Sequence, residues 1–194
     1  MGILDSLLGA GKGLRSPRGI KHGGKRVSDI LAEHGKFFRG EPGGVRANLE
    51  GADLSRADFR GANLSQATLA GCNLESANFF GGRLCGTDLS KCNLKMAKLQ
   101  KCDMTEVKLV GSDLTGADLS GSEVFRGDLT DAIIRNATVR GTVLRQAVLK
   151  NTDLSGSDLG LASVREVDLS GAKLDQADLS KAVVRDNKKA APTT

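Results

Sequence analysis

From Leu49 to Val184 every fifth residue is large and apolar, with no break in register: Leu49, Leu54, Phe59, Leu64, Leu69, Leu74 and Phe79 open the series, and Leu169, Leu174, Leu179 and Val184 close it. Two residues before each stands a small or thiol residue, such as Ala47, Ala52, Ala57, Cys72 or Gly82, with Val107 and Val167 as the largest exceptions. The residue between is mostly Asp or Asn, and the two that follow are mostly polar or Gly, so the consensus A(D/N)LxG recurs about twenty-eight times over residues 45–185. A period of five suits neither regular element, because each repeat advances a helix by about 140° and throws a straight strand onto its other face. A chain that turns a corner in every repeat can bury the whole series. The small residue and the Leu, two apart in extended geometry, then point inward together, and Gly, Asn and Ser accommodate the corner.

Composition narrows the picture. The 194 residues include no Trp, no Tyr, six Phe and 25 Gly, so a core anchored on aromatics is not expected and Leu must carry the burial. The formal net charge is +5, but residues 45–185 hold eighteen Lys/Arg against eighteen Asp/Glu, and the excess lies mainly before them. Cys72, Cys85, Cys92 and Cys102 accompany no secretion signal and are expected as free thiols in a cytoplasmic protein. No apolar run reaches the roughly eighteen residues of a membrane span.

The tandem A(D/N)LxG units, seen at Gly51-Ala52-Asp53-Leu54-Ser55 and Gly116-Ala117-Asp118-Leu119-Ser120, resemble those of the pentapeptide-repeat family over Val45 to Arg185. The resemblance implies an all-β solenoid, a right-handed quadrilateral β-helix with four repeats per coil, hence about seven coils and a rod roughly 34 Å long at about 4.8 Å per coil. Residues twenty apart should stack, giving a pure Leu ladder from Leu49 to Leu169 and Phe59 on Phe79. Of the inward thiols, Cys72 and Cys92 should stack, and outward Cys85 should be the reactive one.

A solenoid needs covered ends. Residues 27–44 are expected to form a short helical N-terminal cap, with Ser28 as N-cap and Ile30, Leu31, Phe37 and Phe38 covering the first coil. Residues 1–26 read as a flexible amphipathic and basic segment. In it Ile3, Leu4, Leu7, Leu8 and Leu14 share one helical face and resemble a membrane-surface anchor; docking on protein is the alternative. Residues 186–194 read as a flexible tail that leaves the last coil uncovered, which favours a homodimer through the C-terminal coil.

Nothing in the sequence assembles catalysis or a metal or cofactor site. His22 and His34 lack neighbouring ligands of metal-site type, and Gly9-Ala10-Gly11-Lys12-Gly13 lacks the Ser/Thr, the Gly spacing and the preceding strand of a phosphate loop. The Asp residues before each Leu should bond turn backbone. One stretch breaks the consensus without need. Over residues 131–150 Ile133, Thr138, Val143 and Val148 replace Asp or Asn, and Arg135, Arg140, Arg145 and Lys150 follow the core residues. Phe125, Arg145, Arg165 and Arg185 are spaced by twenty and should form a ladder. These residues are the candidate surface for an acidic or phosphate-bearing protein partner, unless Glu166 and Asp186 neutralise them.

The expected function is therefore a non-catalytic protein-interaction or scaffold module, with peripheral attachment to an anionic membrane through residues 1–26 compatible with it. Some members of the resembled family are DNA mimics that bind gyrase-type topoisomerases and confer quinolone resistance. A DNA mimic requires a strongly negative rod, and this one is neutral. Direct nucleic-acid binding is not expected.

Overall fold

The computed structural model describes residues 13–185. Parallel bridges join residues twenty apart on every side of the repeats: Asn48 with Thr68, Asp53 with Asn73, Asp58 with Asn78, Asn63 with Arg83, and so on to Asp158 with Asp178. At each bridge two hydrogen bonds form. The Leu49 N–H donates to the Thr68 carbonyl at 2.8 Å, and the Thr68 N–H to the Ala47 carbonyl at 3.0 Å. The corner is closed when the Ala52 N–H donates to the Leu49 carbonyl at 3.0 Å, a β-turn whose third residue, Gly51, has φ +68°. The chain thus returns to the same side after four repeats.

The side chains follow the expected in–out division. Leu49, Leu54, Phe59 and Leu64 and their successors as far as Val164 are buried on four sides of one core, and Phe59 stacks on Phe79 with centroids 5.2 Å apart. Where the small inward residue is polar, it donates to the carbonyl twenty-three residues earlier, as Thr87 does to Leu64, Ser112 to Leu89 and Thr142 to Leu119. Those buried hydroxyls are therefore satisfied and cost the core little. Outside, Asp53 accepts from the Ser55 N–H at 3.1 Å, and Asp128 and Asp153 do the same two residues on. This local bond explains the Asp/Asn preference before each core residue.

Ahead of the repeats lie a short 3-10 turn (Pro17–Gly19), an antiparallel pair β1 (Lys21–His22) and β2 (Lys25–Arg26), and helix α1 (Val27–Arg39). Residues 13–26 differ from the flexible segment expected there. Arg15 pairs in parallel with Ala57, its carbonyl accepts from the Asp58 N–H at 3.0 Å, and its guanidinium meets Asp53 at 3.0 Å. Arg15 supplies to the first coil the backbone partner that a preceding coil would have given.

The helix also departs from expectation in detail. Its N-cap is Arg26, with no side-chain capping bond, while Ser28 bonds Asp29 instead. Phe37 and Phe38 are 41% exposed each, so Val27, Ile30 and Ile20 supply the apolar burial. His34 on this helix is fully buried, and its Nδ1 accepts from the Ala47 N–H at 3.0 Å. At the helix C-terminus, Gly44 passes so close that a Cβ there would lie 2.6 Å from the Phe37 Cα. At the other end of the rod β3 (Ser163–Arg165) pairs in parallel with β4 (Val183–Arg185), and the last core residues, Leu179 and Val184, are 39% and 46% exposed.

Candidate functional site

The register of twenty separates the residues that broke the consensus. Ile133 and Arg135 lie on the side built on Leu54, Thr138 and Arg140 on the side of Phe59, Val143 and Arg145 on that of Leu64, and Val148 and Lys150 on that of Leu49. They ring the rod and do not form one patch. Three of the four cations also meet a carboxylate one coil further on. Arg135 pairs with buried Asp153 at 2.5 Å, Arg140 with Asp158 at 3.3 Å and Arg145 with Glu166 at 3.2 Å. The hydrogen bond from Arg135 is the main reason the Asp153 carboxyl falls to about 2. The pairing of Arg145 with Glu166, twenty-one residues on, is the neutralisation the sequence allowed for. The other two pairs sequence reasoning missed, yet they carry a spacing signal, because the residue after one core position and the residue before the next on the same side are eighteen apart.

One side keeps an unbalanced row. On the side of Leu64, Leu84, Met104, Val124, Leu144, Val164 and Val184, the outward residues Phe125, Arg145, Arg165 and Arg185 follow one another at the coil spacing, with Arg165 and Arg185 directly paired through β3 and β4. Phe125 is half-buried beneath two guanidinium groups, Arg126 at 4.9 Å and Arg145 at 5.9 Å from its ring centre. Glu166 is engaged by Arg145 and by the Gln146 amide, which with the nearby cations holds its carboxyl below the usual range. Among the described residues neither Arg165 nor Arg185 has an acidic partner within 4 Å; Asp186 lies outside them. Two stacked guanidinium groups about 4.8 Å apart repel one another unless an anion lies across them.

Val143 and Val183 stand in the outward column next to these arginines, and Leu161 occupies the corner at which the chain turns into this side. Leu161 is 55% exposed and sits at φ +63°. Only it and Met96 are apolar among the non-glycine residues of the described chain with positive φ. Sequence reading passed over Leu161 because the corner position is polar or Gly in most repeats.

The remaining candidates are quickly placed. Cys72, Cys92 and Cys102 are buried, their thiols donating to the Leu49, Leu69 and Phe79 carbonyls. Burial pushes the Cys102 thiol up to about 11. Half-buried Cys85 is also raised, by burial and then by Asp103 and Glu106, so it is less reactive than its outward position alone implies. Leu14 is half-buried beside the extended Arg15, off the helical face expected of it, while Ile3, Leu4, Leu7 and Leu8 lie outside the described residues. Among the described residues there is no metal-type cluster of His, Cys, Asp or Glu, and no helix is long and apolar enough to cross a membrane. An open hollow of about 280 Å³ lined by His22, Lys25, Glu33 and Arg46 lies between β1, α1 and the first coil, and Lys25 is bound to Glu33 within it.

Comparison with known proteins agrees with the repeat. The model for pentapeptide repeats, in eight copies, matches residues 45–81, 69–105, 83–121, 128–160 and 162–186. Among solved structures, HetL, a pentapeptide-repeat protein involved in heterocyst differentiation regulation from the cyanobacterium Nostoc sp. strain PCC 7120, is 32% identical. The match covers 74% of this chain and 70% of HetL, with a TM-score of 0.58. Rfr23 from the cyanobacterium Cyanothece 51142 is 24% identical over 54% of this chain and 62% of its own, with a TM-score of 0.41. QnrB1, a plasmid-mediated fluoroquinolone resistance protein, is 19% identical in one trypsin-treated form, over 74% of this chain and 84% of that one, with a TM-score of 0.44. At such distance neither Rfr23 nor QnrB1 informs the function of this chain. No curated protein matches it.

Proposed function

Because the chain belongs to the pentapeptide-repeat family, whose members form right-handed β-helices and are generally non-catalytic, we propose that it is a protein-interaction or scaffold module: a rigid rod of about seven coils, capped by α1, that binds a protein partner through its outer surface. The observation that carries this reading is the row of Arg145, Arg165 and Arg185 on one side, where, among the described residues, a single carboxylate, Glu166, answers three guanidinium groups. Evolution could have placed Asp or Asn there, as the eighteen-residue spacing does on other sides, and a partner's charge is the natural complement. HetL's part in regulating differentiation supports a regulatory use of such binding.

The test is a double substitution, Arg145→Ser with Arg165→Ser. The melting temperature should move little, since both side chains are exposed, while a partner cross-linked by the native protein in lysate of its source should be lost. Retention of that partner would overturn the reading.

The DNA-mimic alternative is disfavoured by the balance of eighteen cations and eighteen anions over residues 45–185. On assembly, the exposure of Leu179 and Val184 favours pairing of two rods through the last coil. Light scattering that finds only monomer at high micromolar concentration would end that idea. A cytoplasmic protein held peripherally at a membrane is compatible with the same rod. Since residues 13–26 pack on the first coil, liposome flotation should compare the full chain with one lacking residues 1–12, and equal flotation would remove the anchor.

A further inference from the structure

The side that carries the arginine row has two columns of different character. Along one run Arg145, Arg165 and Arg185; along the other run Val143, Ser163 and Val183, with exposed Leu161 at the adjoining corner. A partner matching both must present an acidic stripe beside an aliphatic one, with a repeat close to the coil spacing of about 4.8 Å. In an α-helix, residues at i, i+4 and i+7 recur on one face at about 5.4 Å per turn, so two turns span about 11 Å against about 10 Å from Arg145 to Arg185. Long arginine side chains absorb such a difference. In an extended strand, side chains on one face recur every 6.4–6.8 Å or about 13 Å over two steps, which leaves the third arginine unmatched. Nucleic acid offers about one phosphate per 3.4 Å of each strand and nothing for the aliphatic column.

Accepting the interaction reading above, we propose that this side is the docking surface for an amphipathic α-helix of a partner protein, its acidic stripe over Arg145, Arg165 and Arg185 and its aliphatic stripe over Val143, Leu161 and Val183. Leu161 supports it further. A left-handed corner favours Gly, Asn or Asp, so an exposed Leu there occupies a costly place for no gain inside the fold. Phe125, under Arg126 and Arg145, closes the row at its inner end.

Fluorescence anisotropy with the full chain tests the proposal. The probe is a labelled, lactam-stapled peptide of about three helical turns, with glutamates on one stripe and leucines on the next. The expected result is binding at least tenfold tighter than that of a scrambled peptide of the same composition, weakening steeply as salt rises. Leu161→Gly, and separately Arg165→Ser with Arg185→Ser, should each lower affinity about tenfold. Leu161→Gly should hold or raise the melting temperature, so a loss of binding there is not a loss of fold. Equal affinity for the scrambled peptide, unchanged binding by the variants, or tighter binding of a labelled DNA duplex would overturn the helix. If the stapled peptide fails while a native partner is still lost on changing Arg145 and Arg165, the helix falls and the interaction reading stands; if the native partner is retained, both fall.

Discussion

Leu49 in the first coil is fully buried, whereas Leu179 in the last is 39% exposed, although each holds the same place in its repeat. The first coil has Arg15 against its edge and Val27, Ile30 and His34 above it. Among the described residues, the last coil has neighbours on one side alone. The contrast teaches that in a solenoid a repeat does not bury its own core residue; the next coil does, and where none follows the same Leu stays wet. Stability should therefore fall from the middle of the rod towards the C-terminal end.

The largest effect should come from the middle. Leu109→Asp places a carboxylate between two coils and should abolish cooperative folding, or cost more than about 4 kcal/mol, while outward Ser120→Asp should cost less than about 0.5 kcal/mol in a denaturant melt. The milder pair bears directly on the comparison: Leu109→Ala should cost about 3 kcal/mol and Leu179→Ala less than about 1 kcal/mol. Equal losses would mean that the last coil is covered after all.

Gly44→Ala should come next. Its Cβ would lie 2.6 Å from the Phe37 Cα, so α1 must shift, at a cost of about 2 kcal/mol. The readout is faster hydrogen exchange at Ala47 and Leu49, with residues 150–180 unchanged. The N-terminal end would then behave like the C-terminal one.

A smaller, pH-dependent form of the same change rests on His34. Its pKa lies below the ordinary 6.5, first because burial penalises the charged ring and also because Arg46 repels it; the Ser65 backbone favours the proton without reversing the shift. A depressed folded pKa means that the contribution is complete above about 6.5 and is lost as pH falls through the folded value. Protonation would also remove the acceptor that Nδ1 offers to Ala47. Protection factors for amide exchange of Ile30 to Phe38, corrected for the intrinsic pH dependence of exchange, should fall between pH 7.5 and pH 5.5, and His34→Gln should abolish that fall.

The smallest effect is a matter of order in time. Cys85 should take up a thiol reagent before Cys72, Cys92 and Cys102, slowly at neutral pH because its thiol is raised. In mild denaturant the three buried thiols, all in the N-terminal half of the rod, should become reactive only after a probe on the last coil has already changed. Simultaneous exposure would show that the two ends are coupled.

Much of this was legible in the residue pattern. The inward position of Leu and small residues, the Phe59–Phe79 stack, the backbone bond of the Asx residues and the exposed last coil all follow from local chemistry repeated at fixed intervals. The arginine row was legible for the same reason. What escaped depended on partners distant in sequence or outside the repeat. Arg15 finds its strand partner more than forty residues on at Ala57, and His34 is buried because Ala47 offers it an N–H, which no local pattern announces. Nor did spacing by five reveal that Arg135 and Arg140 spend their charge on Asp153 and Asp158.

The return of the chain after twenty residues also sets a rule for how such a molecule can lengthen or shorten. Removing one unit, for instance residues 111–115, would keep every inward residue inward yet turn everything downstream by a quarter revolution, carrying Arg145, Arg165 and Arg185 to a different quadrant relative to α1. Removing residues 111–130 would restore the quadrant and merely bring the arginines one coil nearer the helix, at the expense of Phe125. Insertions and deletions in steps of five are thus invisible to the core and change the direction in which the surface points, so the azimuth of a binding surface can drift in a lineage while the hydrophobic pattern stays the same.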